Sequence, residues 1–171
     1  MPRVSIASDS ISLDGKPAIL LAGTFRYFYL PHTDLWRPTL ERLRMAGLNA
    51  VVIPVPWAYH SPAAGFHDFT GPRDLARLFE EVERAGLWLL LHMGPWIGSD
   101  FSAGGIPGWV YGLPEVVAQI AQGTPYGYRS PLTRHVSVWW DRVLAFAAGR
   151  SNLVAVGIDP AESHGWALPP V

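Results

Sequence analysis

The residues of this 171-residue chain best suited to chemistry lie at 87–109 and in a short run near the end. The segment LWLLLHMGPWIGSDFSAGGIPGW begins as an apolar run and turns into a Gly- and Trp-rich loop holding one carboxylate, Asp100. A carboxylate accepts hydrogen bonds at both oxygens, and Trp96, Phe101 and Trp109 set flat apolar faces beside it. Aromatic faces with a few acceptors suit a sugar ring, which is apolar on its C–H face and hydroxylated at its rim. The competing reading is a Gly-rich connection with core aromatics, in which Asp100 stabilises a turn. Asp159, Glu162 and His164 follow the last apolar run, over 153–158. His60, His92, His135 and His164 lack the spacing of a His-based metal site and read as structural or pocket-edge residues.

Strands and helices must position these groups. Short β-like runs at 4–7 and 11–13, with Asp14-Gly15-Lys16 as a turn signal, predict an N-terminal β-hairpin over residues 1–16. The apolar run 18–23 suits a central strand, and its exit, TFRYFYLP, is dense in aromatics. Thr33-Asp34 is expected to cap a helix whose stripe is Leu35, Leu40, Leu43 and Met45, ending at Gly47. A second buried strand is expected over 49–55. The helix after it, over 73–85, turns Leu75, Leu78, Phe79 and Val82 inward. A third strand follows over 87–93, then helices over 114–121 and 132–148, then a strand over 153–158. Trp139-Trp140 is expected to pack one ring in the core and leave the other at an interface.

Strands alternating with helices predict an α/β fold with a parallel sheet. A doubly wound sheet and part of a (β/α)₈ TIM barrel both fit. No G-x-G-x-x-G follows the first strand, which weakens a dinucleotide-binding sheet. The strand exits carry Tyr27, Trp57, Asp100 and then Asp159, Glu162 and His164, the convergence on one rim by which barrel enzymes build their sites. A full barrel takes about 250 residues. The expectation is therefore a partial barrel of about four strand-helix units over 17–171, preceded by the hairpin.

Composition narrows the function classes. Charged residues make up 16% and apolar ones 49%, with eight Trp, so much of the chain avoids water or meets a partner surface. A net charge of −1 gives no electrostatic footprint for nucleic acid or an anionic membrane. The absence of cysteine excludes disulfides and thiolate metal sites and leaves the compartment open. No signal-peptide h-region is visible near Met1, and no apolar run approaches the roughly 20 residues of a membrane span. The chain reads as soluble, with no cofactor expected.

Four blocks then carry a resemblance: TFRYFYLP, GLNAVVIPVPW, HSPAAGFHDFTGPRDL and GPWIGSDFSAGGIPGWV. In this order they resemble the successive blocks of glycoside hydrolase family 35, the β-galactosidases, from about Leu13 to Ile158. The resemblance implies the N-terminal half of a (β/α)₈ catalytic barrel, with further barrel strands or domains beyond Val171. It implies retaining hydrolysis of terminal β-galactosides without a required metal, and hence a carbohydrate partner. Substrate contacts are then expected from Tyr27, Trp57, Trp96 and Asp100, the last standing where the family has a Glu.

The same resemblance exposes departures. A retaining glycosidase needs two carboxyl groups about 5–5.5 Å apart. Laid without a gap on the family's Q-x-E-N-E-Y block, Gly157 stands for Gln, Asp159 for the first Glu and Pro160 for Asn. Ala161 stands for the acid/base, and only a one-residue insertion brings Glu162 into that role. The nucleophile belongs to a later strand. Arg26, Tyr29, Val52, Ala58, Ser61 and the pairs His92-Met93 and Gly98-Ser99 replace polar or shape residues of the family. The expectation is a β-galactosidase-type domain in an intact protein, inactive as this chain alone. The alternative is a catalytically silent carbohydrate-binding or structural relative.

Overall fold

The computed structural model of the protein describes residues 2–99, 101–121 and 131–158. Three short strands, β1 (Val4–Ile6), β2 (Ile11–Leu13) and β3 (Lys16–Ala18), form an antiparallel sheet in that order. The predicted hairpin therefore gains a third strand. Asp14 and Gly15 make the turn at φ 52° and 77°, the left-handed pair that matches strand twist in a tight hairpin. Asp14 also accepts from the Arg3 amide at 2.8 Å, which ties the turn to the start of β1.

Four further strands make a parallel sheet in sequence order: β4 (Ala22–Thr24), β5 (Ala50–Pro54), β6 (Trp88–His92) and β7 (Leu153–Gly157). The helices, in chain order, are α1 (Trp36–Met45), α2 (Trp57–His60), α3 (Leu75–Arg84), α4 (Gly108–Tyr111), α5 (Pro114–Ala121) and α6 (Pro131–Ala147). Helix α1 connects β4 to β5 and α3 connects β5 to β6, the crossovers that parallel pairing requires. This is the alternating α/β plan the sequence predicts.

Two expectations fail locally. The run 18–23 is not one strand: Lys16–Ala18 pairs with β2, and only Ala22–Thr24 joins the parallel sheet. Between them the Asn49 side chain takes the place of a neighbouring strand. It donates to the Ile19 carbonyl at 2.7 Å and accepts from the Leu21 amide at 2.8 Å, while Ile19 and Leu21 stay exposed. Thr33 and Asp34 do not cap a helix either. They lie within a 3-10 turn, Thr33–Leu35, and neither makes a capping bond. Both side chains instead accept from Arg77, each at 3.0 Å. The inward stripe of α1 is Trp36 and Leu40, with Met45 84% exposed.

The chain divides into two compact units. The first comprises Met1–Pro54, Thr70–Leu91 and Phe146–Val156; the second comprises Val55–Phe69, His92–Ala145 and Gly157–Val171. The chain passes from one to the other at the C-terminal ends of β5, β6 and β7, so those strands lead into the residues of the second unit. In the first unit Trp36, Leu40, Val51, Ile53, Leu75, Leu78, Phe79, Val82, Leu89 and Leu91 are all buried. Burying one such side chain contributes about 1.5–3 kcal/mol relative to exposure. Asp74 caps α3 by accepting from the Arg77 amide at 2.9 Å. Asn152 donates to the Leu87 carbonyl at 3.0 Å.

The two faces of the parallel sheet differ. Thr24 pairs with Val52, and the bonds from Trp88 to the Asn49 carbonyl and from Leu89 to the Asn152 carbonyl put Leu90 and Val154 in the same row. Val51, Ile53, Leu89, Leu91 and Leu153, on the alternate positions, are buried. The row of Thr24, Val52, Leu90 and Val154 is only partly covered. One face is sealed and the other is half open.

Candidate functional site

The second unit is built around indoles. Trp57 opens α2 at the exit of β5, fixed there because Pro54 and Pro56 hold the preceding backbone extended. Its ring stacks on Trp139 of α6, with centroids 6.1 Å apart and planes 14° from parallel, and meets Trp109 of α4 edge-on at 5.6 Å. Trp139 also stacks on Phe69 at 6.2 Å, and His60 lies face-on to Phe69 at 4.9 Å. Trp57, His60 and Trp139 are essentially inaccessible. Trp139 is the core ring expected of the Trp139-Trp140 pair, and Trp140 is half-buried.

Hydrogen bonds fix this wall. The Trp139 indole donates to the Met93 carbonyl at 2.9 Å and the Trp140 indole to the Gly94 carbonyl at 3.1 Å, so α6 grips the exit of β6. The Trp109 indole donates to the Ser61 carbonyl at 2.9 Å. The His60 ring nitrogen Nδ1 bonds the Asp68 carbonyl at 2.9 Å, and the Asp68 amide donates back to the His60 carbonyl at 2.8 Å. Ser61, wholly buried, bonds His67 Nδ1 at 2.6 Å. Burial first, then the nearby Arg142 guanidinium, hold His67 below its ordinary pKa of 6.5, because both disfavour a second positive charge. The Trp57 indole N–H is buried and has no partner among the described residues.

The loop after β6 closes on itself. Ile97 donates to the Gly104 carbonyl at 2.8 Å and Gly104 to the Phe101 carbonyl at 2.9 Å. The 3-10 turn Ser102–Gly105 packs on α2, and a Cβ on Gly105 would press on Ile97 and approach Pro56. Trp96 and Trp57 are thus brought into one unit, Trp96 half-buried and Trp57 sealed. Tyr27 belongs to the first unit, in a 3-10 turn (Tyr27–Tyr29) after β4, 1% exposed and edge-on to Trp36 at 6.1 Å. Asp100 and Glu162 lie outside the described residues, as do Asp159 and His164.

The described carboxylates are largely tied to structural partners. In the first unit Asp34 meets Arg77, Glu81 meets Arg37 at 2.7 Å, Glu80 meets Arg84, and Glu83 meets Ser151 and Arg150. In the second, the exposed Glu115 bonds His135 at 3.4 Å. Its own backbone amide and then His135 hold its carboxyl below the ordinary value. No cluster of three or more His, Asp or Glu suited to a metal occurs among the described residues. No described helix is long and apolar enough to cross a membrane. The arrangement offers rings and hydrogen-bonded backbone, which bind and orient.

Sequence reasoning did not foresee the Ser61–His67 bond or the part played by His60 and Phe69. These depend on the loop 61–69 folding back on α2, and no spacing rule signals it. The only trace was Ser61 as a departure from the family's Glu.

Comparison with known proteins fits this architecture. The sequence matches Glycosyl hydrolases family 35 over residues 10–148. A Beta-galactosidase of Mus musculus is 32% identical over 67% of this chain and 18% of its own. An Exo-beta-D-glucosaminidase of Pyrococcus horikoshii is 29% identical over 90% of this chain and 22% of its own. The chain spans about a fifth of the length of these curated relatives. Among solved structures, an endogalactoceramidase shares the fold with a TM-score of 0.64 at 15% identity, over 91% of this chain and 43% of that one. By the match that runs from the N-terminal sheet through α6, the chain belongs to glycosyl hydrolases family 35.

Proposed function

We propose that this chain supplies the substrate-binding wall of a β-galactosidase-type glycosidase acting on terminal β-galactosides. As these 171 residues alone it binds the sugar without hydrolysing it. The observation that carries the reading is the Trp57–Trp109–Trp139 stack beside a half-buried Trp96, in a chain of this family. The sealed Trp57 and Trp139 rings give the half-buried Trp109 a rigid apolar backing, and rigidity lowers the entropy cost of holding a sugar. Asp100 then adds acceptors for sugar hydroxyls, Trp57 backs the wall within its own unit, and Glu162 is the candidate acid/base. Hydrolysis needs a paired carboxylate nucleophile. We assign that partner to residues beyond Val171 in an intact protein.

The test is direct. Titration with galactose is expected to quench tryptophan fluorescence in the wild type and much less in Asp100→Ala. An aryl β-galactoside should not be turned over. Unchanged wild-type fluorescence at saturating sugar removes the binding proposal. Turnover that is lost in Glu162→Gln overturns the claim of inactivity.

A further inference from the structure

We infer that the Ser61–His67 pair is a pH-sensitive clasp: a proton on the His67 ring frees the loop 61–67 and unseats the Trp109 indole. This goes beyond the carbohydrate reading and does not depend on it.

The inference starts at the neck of the loop. His60 and Asp68 close it with two bonds, at 2.8 and 2.9 Å, and residues 62–66 within it are exposed. Just inside this neck the Ser61 hydroxyl and His67 Nδ1 lie 2.6 Å apart, with Ser61 wholly buried. A proton acts differently on the two histidines. A carbonyl only accepts, so His60 Nδ1 carries a hydrogen toward Asp68 in either charge state. The Ser61 hydroxyl meets only His67 among the described residues, so its hydrogen is satisfied only when Nδ1 is bare and accepts it. Protonation turns that acceptor into a donor. The hydroxyl can then accept, but its own hydrogen is left buried without a partner, which costs stability.

Electrostatics act in the same direction. Arg142 of α6 is the charged group that bears on His67, and it repels an imidazolium. Burial first and then Arg142 hold the ring below 6.5. The clasp is therefore complete above that pH and opens as pH falls through the lowered value. On α2 the titratable group is His60, whose ring stays tied to the Asp68 carbonyl.

The backbone carries the change to the indole. The Ser61 carbonyl accepts from the Trp109 N–H at 2.9 Å. That carbonyl belongs to the peptide joining Ser61 to Pro62, the first link of the loop, so the loop cannot swing out without turning it. Trp109 is half-buried, whereas Trp57 and Trp139 are sealed. Trp109 also meets His135 edge-on at 6.1 Å, and His135 pairs with Glu115 at 3.4 Å. That second titratable pair faces the same indole, and the experiment separates it from His67.

The indole N–H signals of the 171-residue chain, isotope-labelled at tryptophan, are followed by NMR as pH is lowered from above 6.5. Trp109→Phe identifies the Trp109 signal among the eight. In the wild type that signal is expected to shift, with a midpoint below pH 6.5, and to exchange faster with water. Trp139 should keep its place on the Met93 carbonyl. His67→Gln, which offers Ser61 an uncharged acceptor, should hold the Trp109 signal at its high-pH position throughout. Ser61→Ala should place it near the low-pH position at every pH. Arg142→Gln should raise the midpoint toward 6.5, and His135→Gln should leave the shift in place. A Trp109 shift that persists in His67→Gln overturns the inference, and so does one abolished by His135→Gln. If all eight signals move together at one midpoint, the acid change is global unfolding and the clasp is refuted.

Discussion

Trp57 and Trp139 enter the same stack but hold their N–H groups differently. Trp139 donates to Met93, whereas the Trp57 N–H is buried without a partner among the described residues. Replacing Trp139 by Phe strands a buried carbonyl, which costs about 1–3 kcal/mol, while replacing Trp57 by Phe removes an unsatisfied donor. Both lose some ring volume, so the contrast is what matters. Trp139→Phe is expected to lower stability by about 1–3 kcal/mol more than Trp57→Phe, read as the difference in urea unfolding free energy.

His67 gives a pH prediction at the same scale. With its folded-state pKa held below 6.5 by burial and Arg142, the unfolded chain takes up the proton first. The stability tied to the neutral ring is complete above pH 6.5 and drains away as pH falls through the depressed value. His67→Gln keeps a hydrogen-bonding partner for Ser61 and should flatten that limb of the stability profile. A limb of unchanged slope in the variant would assign the acid sensitivity elsewhere.

At the scale of elements, two arginines joined to α3 test how burial sets the worth of an ion pair. Arg77 reaches Asp34 across an exposed gap, the carboxylate side chain 89% accessible. Arg37 of α1 meets Glu81 of α3 at 2.7 Å, with the Glu81 side chain only 12% accessible. Exposed pairs contribute about 0.2–1 kcal/mol, and charge-assisted bonds with a desolvated partner about 1.5–3 kcal/mol. Arg37→Met should therefore destabilise more than Arg77→Met, and its effect should be less sensitive to added salt. Equal losses that vanish together in high salt would show that both pairs behave as surface pairs.

The elements also show what the sequence could disclose. Strands β5 and β6 were legible because each is an unbroken apolar run, one face buried and the other partly covered, and α3 because Leu75, Leu78, Phe79 and Val82 recur at helical spacing. The break between β3 and β4 was not legible, since it depends on Asn49, some thirty residues from Ile19 along the chain. Thr33 and Asp34 have the residue types of a cap, but the distant Arg77 claims both. At the candidate site the aromatic supply was readable from composition, while the Ser61–His67 bond and the Trp109 bond to the Ser61 carbonyl arise only when loops close. Asn49→Asp replaces a donor to the Ile19 carbonyl by an acceptor. It should cost about 1–3 kcal/mol and loosen amide exchange at Leu21.

At the scale of the whole chain, the four-stranded sheet ends, among the described residues, in two unpaired edges, β4 and β7. Val156 and Ile158 are exposed at one edge, Ile19 and Leu21 lead into the other, and the row through Val52 and Leu90 is half open. Parallel sheets are normally covered on both faces, and unpaired apolar edges pair with other chains. The 171-residue chain is therefore expected to self-associate with rising concentration in sedimentation velocity. Val156→Lys should shift it toward monomer, because a lysine on an edge strand blocks pairing. A cooperatively folding wild-type monomer across the same range would count against the open-sheet account.

The stacked indoles have an optical consequence. Two identical chromophores 6.1 Å apart and 14° from parallel couple their excited states, so Trp57 and Trp139 should produce an exciton couplet in far-ultraviolet circular dichroism. Because both rings belong to the second unit, the couplet reports on that unit alone, whereas the helical band sums α1 and α3 of the first unit with most of α6 in the second. Their melting curves, laid over one another, would tell whether the two units unfold as one cooperative body or in succession.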